Sequence, residues 1–416
     1  MTEPTLAQLQ ARYDQIKAQG LSLDLTRGKP SSEQLALSDA LDGILNNNYQ
    51  SANGTDCRNY GGLDGIPEAK QRFATMLNVP ADELIIGGNS SLTLMYQTAL
   101  QGMFFGFGGQ SCPWSTISKP VFICPVPGYD RHFSVCESLG IDMISVSMDE
   151  NGPNMDEVES LLRENLNIRG MWCVPRFSNP SGIVYSDTVV DRIAQLGHIA
   201  HPDFRVFWDN AYAVHALQND APRLSSIYQR CQHHGTLESV VQFGSTSKIT
   251  FAGAGIAFMH AGEQTRAAFT KQLSFSTIGP DKINQLRHVS FLPDDDTLHA
   301  HMQKHAAILK PKFDAVLDVL QAHFPNQDKL RWTTPNGGYF ISVNTLPGLA
   351  KTTVALAADA GVKLTPAGAT YPYKHDPNDS NIRIAPSFAT AKEIKQATEV
   401  FAVCVALAHA KQTHQP

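Results

Sequence analysis

Between about residue 80 and residue 260, short β-rich runs alternate with segments of helical length, and this alternation restricts the fold more than any other feature. ELIIGG is followed by SSLTLMYQTALQGMF, KPVFICP by YDRHFSVCESLG, and IDMISVSM by NMDEVESLLREN. IRGMWCVP leads to SDTVVDRIAQLGHI and then FRVFWDN, with SVVQFGS and GIAFMHA behind. Runs of this kind, separated by helices of this size, predict a mostly parallel sheet covered on both faces. Beyond about residue 296 the pattern changes to a long helix, HMQKHAAILKPKFDAVLDVLQAHF, then the strands LRWTTP, GGYFISV and NIRIAPS with two more helices. The expectation is an α/β chain with a large unit over 51–295 and a smaller α+β unit over 296–416. Residues 1–50 form an N-terminal segment joined to the smaller unit.

Composition narrows the function classes. The 416 residues carry a formal net charge of −6, which argues against a nucleic-acid-binding face. No apolar run is long enough to span a bilayer. MTEPTLAQLQARYDQIKAQG reads as an amphipathic helix rather than a signal peptide, because it has no basic start and no continuous apolar stretch. Seven cysteines without a Cys-x-x-Cys pair fit a reducing compartment, so the cytoplasm is expected.

In parallel sheets ligands collect at the C-terminal ends of the strands. Five strand ends here carry distinctive residues: Gly88-Asn-Ser-Ser91, Pro127-Gly-Tyr129, Asn179-Pro-Ser-Gly182, Asp209-Asn-Ala-Tyr212 and Ser245-Thr-Ser-Lys248. Asn89, Ser90 and Ser91 open a helix, where free N–H groups and the dipole favour an anion; an ordinary serine cap reads the same way. Tyr129 is placed to stack on a flat ligand or simply to pack. Asp209 ends an apolar strand and needs a partner such as a pyridinium N–H, or else caps the following helix. Asn179 and Tyr212 are polar groups within reach of the same point, although Asn-Pro-Ser-Gly is also a plain turn signal.

Lys248 admits three readings: a surface charge, half of a Ser-x-x-Lys nucleophile pair with Ser245, or a Schiff-base lysine. The hydrolase reading expects Ser-Asp-Asn and Lys-Thr-Gly companions. Asp379-Ser-Asn381 and Lys351-Thr-Thr353 match neither. A desolvated lysine is nucleophilic and can carry a carbonyl cofactor as an imine, then act as a general base.

The order of these motifs resembles fold-type I pyridoxal-phosphate-dependent aminotransferases, from LDLTRGKP to NIRIAPSF. LTRGKPSSEQL, RNYGGLDGIPEAK and STSKITFAGAG are most similar to the aspartate aminotransferase type close to MocR-like aminotransferase domains. The resemblance implies a seven-stranded large-domain sheet, pyridoxal 5'-phosphate as cofactor, and Lys248 as its internal aldimine. It implies that Asp209 pairs with the pyridine nitrogen, Tyr212 and Asn179 contact the ring hydroxyl, and Tyr129 stacks on the ring. Asn89, Ser90, Ser91, Ser245 and Ser247 would surround the phosphate. Tyr60 would reach the phosphate of a neighbouring subunit in a homodimer. Arg383 would grip the substrate α-carboxylate, and the Gly28 backbone would close over the substrate. Relatives often carry a phosphate-binding arginine about eight residues after the lysine; here that place holds Gly255 and Ile256.

The implied reaction is a ping-pong transamination from an L-amino acid, with aspartate the expected donor and 2-oxoglutarate the expected acceptor. A side-chain carboxylate requires a second cation, for which Arg27 is the first choice, then Lys29 and Lys282. A decarboxylase or lyase with the same cofactor, or alanine and aromatic donors, are the alternatives. A MocR-type regulator needs an N-terminal DNA-binding domain, and only about 20 residues precede LDLTRGKP.

Overall fold

The computed structural model describes residues 4–109 and 111–414. Thirteen strands are described: β1 (Leu23–Asp24), β2 (Ile85–Ile86), β3 (Val121–Val126), β4 (Asp142–Asp149), β5 (Gly152–Pro153), β6 (Ile168–Cys173) and β7 (Arg205–Asp209) come first. They are followed by β8 (Val240–Ser245), β9 (Ala257–Ala261), β10 (Leu330–Trp332), β11 (Ile341–Thr345), β12 (Val362–Lys363) and β13 (Asn381–Ile384). The large sheet runs β2-β9-β8-β7-β6-β3-β4-β5. Its central members β8, β7, β6, β3 and β4 are parallel neighbours. β9 is antiparallel to both β8 and β2. Seven strands of this sheet match the seven-stranded expectation, and the two-residue β5 extends its edge antiparallel to β4. Strands β6, β7 and β8 are buried at every position, which explains why they read as unbroken apolar runs.

The helices that matter for the site are α1 (Leu6–Lys17), α2 (Ser91–Phe104), α3 (Asp130–Leu139), α4 (Lys282–Phe291), α5 (Asp295–His323) and α6 (Ala391–Thr413). α3 stops where Gly140 turns left-handed, and α1 starts from a capping box between Thr5 and Gln8. The long helix begins six residues earlier than the quoted HMQKHAAIL run. The Asp294 side chain accepts from the Thr297 N–H and fixes that start. Pro311 lies inside it.

β10, β11 and β13 form a separate antiparallel sheet. The N-terminal residues belong beside it: β1 pairs in parallel with β12, and Leu9, Tyr13 and Leu25 share a cluster with Phe313, Phe401 and Ile384. Tyr13 donates to the Asp359 carboxylate at 2.7 Å. α5 contributes to two clusters. Leu298 and Met302 pack with Phe73 and Phe258 near the large sheet, and Leu309, Phe313 and Leu320 pack with the small one. Among the described residues no helix is long and apolar enough to cross a membrane.

Candidate active site

A cavity of about 300 Å³ opens at the C-terminal ends of β7 and β8. It is lined by Ser90 and Ser91 from the start of α2, Tyr129 and Arg131 around the start of α3, and Asn179 from the loop after β6. Asp209, Tyr212, Ser245, Ser247, Lys248, Gly28, Phe340 and Arg383 complete the wall. Residues from five strand ends and both sheets therefore meet, as expected for a parallel sheet whose strand ends point to one edge.

Asp209 is the last residue of β7 and is almost fully buried. Its Oδ2 lies 3.0 Å from His132 Nε2, while its Oδ1 is buried with no hydrogen-bond partner among the described residues. A buried carboxylate oxygen left unpaired costs free energy, so this atom marks a place for a donor. His132 stacks on Trp172 at 4.2 Å, which fixes the imidazole against the carboxylate. Sequence reading missed His132. The available signal was its position three residues after Tyr129 on the same helix start, where side chains share a face.

Lys248 lies three residues beyond the end of β8, and its Nζ sits 4.9 Å from the Tyr212 ring centre. Burial lowers its amine below the ordinary lysine value, with the Asp209 charge opposing that shift. Two groups fix its backbone: His215 Nε2 lies 3.2 Å from the Lys248 carbonyl, and the Tyr339 hydroxyl donates to it at 3.4 Å. Burial also raises the Tyr212 phenol well above the usual range and Tyr129 to about 12, so both are protonated donors at neutral pH.

At the start of α2, Ser90 occupies the cap position but makes no side-chain cap bond. The first-turn N–H groups are thus not closed off by the Ser90 hydroxyl. The two loops are laced together: Ser247 Oγ donates to the Asn89 carbonyl at 3.0 Å, and Asn89 Nδ2 donates to the Gly253 carbonyl at 3.0 Å. Asn89 itself is exposed and is not among the residues lining the cavity.

Arg383 comes from β13 and is nearly buried. It donates to Asp130 Oδ1 at 2.9 Å and to Asn179 Oδ1 at 3.2 Å, and it lies 4.7 Å from the Phe340 ring centre. Gly28 packs against the same ring; a Cβ there would meet Phe340 Cζ at 2.1 Å. Arg27 points elsewhere. Its side chain is bonded to Asp24 at 3.0 Å, is 54% exposed and does not line the cavity. The i,i+3 spacing from Asp24 at the end of β1 captures it. Lys29 lies over the Phe388 ring, and Lys282 is buried and donates to the Gly61 carbonyl at 2.7 Å. Tyr60 is 80% exposed and does not line the cavity of its own chain; Phe275 and Ile278 are also exposed. The Gly61 N–H donates to the Ile278 carbonyl at 3.1 Å, which joins these segments.

Comparison with known proteins agrees with this architecture. The aspartate amino-transferase family model matches residues 2–416. An aspartate aminotransferase of Corynebacterium glutamicum is 44% identical over 404 residues, covering 97% of this chain and 93% of that protein. A putative aminotransferase of Mycolicibacterium smegmatis is 43% identical, covering 96% and 94%. A solved structure of an aspartate transaminase from C. glutamicum superposes with a TM-score of 0.95 at 43% identity, over 98% of this chain and 96% of that one. With the family model spanning the sheet, the lysine loop and the arginine strand alike, the chain belongs to the aspartate amino-transferase family and is an aminotransferase.

Proposed function

We propose that this chain uses pyridoxal 5'-phosphate to transfer the amino group of L-aspartate to 2-oxoglutarate in a ping-pong reaction. The observation that carries the reading is the unbonded Asp209 Oδ1, buried in the same cavity as the Lys248 amine. A carboxylate oxygen in that state fits a pyridine N–H. The bound cofactor would supply an electron-accepting ring and a carbonyl carbon. The chain's residues fit the rest of the group. Ser90, Ser91, Ser245 and Ser247, with Asn89 bracing their loops, would hold its phosphate at the start of α2. Tyr129 would cover the ring. The Tyr212 phenol and the Asn179 amide N–H would donate to the ring hydroxyl. Asn179 is suited to this because its Oδ1 already accepts from Arg383.

The chain's remaining groups would act on the substrate. Arg383 would bind the α-carboxylate through its guanidinium fork. Gly28 and Phe340 would close over the amino acid and exclude water. Lys248, with its amine depressed by burial, would take up and return the proton at the substrate Cα. The aspartate preference is supported by the C. glutamicum relative named aspartate aminotransferase. We also propose a cytoplasmic homodimer in which Tyr60 reaches the cofactor phosphate of the second protomer. Its exposure, together with that of Ile278 on the segment bonded to Gly61, supports that reading.

The test is the absorbance spectrum of the purified, cofactor-loaded protein before and after L-aspartate alone. The expected result is loss of the visible cofactor band with stoichiometric oxaloacetate, reversed by 2-oxoglutarate. A band that ignores aspartate but responds to alanine or an aromatic amino acid would overturn the donor. Lys248→Ala is expected to keep the cofactor non-covalently and to lose turnover.

A further inference from the structure

We propose that Arg131 binds the side-chain carboxylate of the substrate and thereby sets the preference for a dicarboxylic amino acid. The inference rests on the aminotransferase reading of the cavity above and names the group that reading lacks.

Three cationic side chains line the cavity: Lys248, Arg383 and Arg131. The first is assigned to the cofactor and the second to the α-carboxylate. Arg383 is already held by Asp130 and Asn179, with Thr365 Oγ1 at 3.5 Å from its other terminal nitrogen. The cations expected from sequence are all engaged elsewhere: Arg27 on Asp24, Lys29 over Phe388, Lys282 on Gly61. Of the two lining arginines, Arg131 has no hydrogen bond or ion pair among the described residues, and it is exposed.

Its place in the helix strengthens the case. Arg131 is the second residue of α3, where the helix dipole disfavours a cation. An anion arriving there gains from the guanidinium and from the positive end of the helix dipole together. The neighbouring carboxylate does not quench it, since Asp130 is turned to Arg383. Successive helical side chains diverge by about 100°, so Asp130 and Arg131 serve different partners. The chain therefore presents two guanidinium groups to one cavity, one partly occupied and one open.

The cofactor phosphate is the other anion that Arg131 could meet, since Lys248 and Arg383 are the other two cations lining the cavity. The experiment separates the two. Holoenzyme of the wild type, Arg131→Gln and Arg131→Lys is titrated calorimetrically with succinate and with butyrate, which differ by one carboxylate. The ratio of kcat/KM for aspartate over alanine and the rate of cofactor loss on dialysis are measured beside it. In Arg131→Gln, succinate affinity and the aspartate-to-alanine ratio are expected to fall roughly 10- to 100-fold, the range of a lost charged hydrogen bond. Arg131→Lys is expected to recover part of both. Equal weakening of succinate and butyrate overturns the proposal. So does faster cofactor loss with unchanged succinate binding, which would place Arg131 on the phosphate. A wild type that ignores aspartate yet turns over alanine would instead overturn the donor reading itself.

Discussion

At the scale of single residues, the site is built from pairs in which one group fixes another. Asp130 is the clearest case, because its carboxylate occupies Arg383, the arginine proposed to take the substrate α-carboxylate. Arg383 keeps Asn179, Thr365 and the Phe340 ring when that partner is removed. Asp130→Asn is therefore expected to lower KM for aspartate by about 2- to 10-fold, as one competing and repelling charge is lost; steady-state kinetics checks it. His132 has the opposite character. His132→Ala leaves a void against Trp172 and strips Asp209 Oδ2 of its partner, so a loss of about 3 kcal/mol is expected in denaturant unfolding. A fall in kcat should accompany it. Gly28→Ala would drive a methyl group into the Phe340 ring, which lies against Arg383. Its expected signature is a raised KM for every amino acid donor, aspartate and alanine alike.

At the scale of elements, His301 and His305 show how a helix is tied to the lysine loop. The Nε2 atom of each approaches the Ile249 carbonyl, at 2.7 and 2.9 Å, one residue after Lys248. Gln34 extends the network by donating to His305 Nδ1 at 3.1 Å and to the Tyr339 hydroxyl at 2.9 Å. Burial lowers the His305 imidazole to about 4, with His301 adding to the shift, and lowers His215 to about 3. These side chains are neutral in the folded protein and take up protons more readily when unfolded. Folding stability should therefore hold above about pH 6.5 and decline as pH falls from there toward 4. Tm measured across that range checks the sign, and His305→Gln should flatten the slope. Strand ends were legible in the sequence because each is a short apolar run closed by polar or small residues, as in FRVFWDN. Asp209, Lys248, Ser90 and Arg383 came with them. Arg131 and His132 were not legible, since their use depends on which way the first turn of α3 faces. Arg27 was misjudged because proximity in sequence to Gly28 does not outweigh a carboxylate three residues back. The pairing of β1 with β12 involves two residues on each side and leaves no periodic trace.

At the scale of the whole molecule, the two sheets share one helix. Leu298 and Met302 near the start of α5 sit with Phe73 and Phe258, while Leu309, Phe313 and Leu320 further along sit with Phe401 and Ile384. Tyr212 and Phe177, from loops of the large sheet, belong to the latter cluster as well. Melting either cluster would strip one end of α5 of its packing and expose apolar surface on the rest. Calorimetry of the holoenzyme should accordingly show one transition, and two resolved peaks would count against shared packing. The same rod has a practical meaning for anyone wishing to divide the protein. A protease nicking a surface loop should leave both fragments clamped together under native conditions, and neither half expressed alone should come out of the cell as a well-behaved particle.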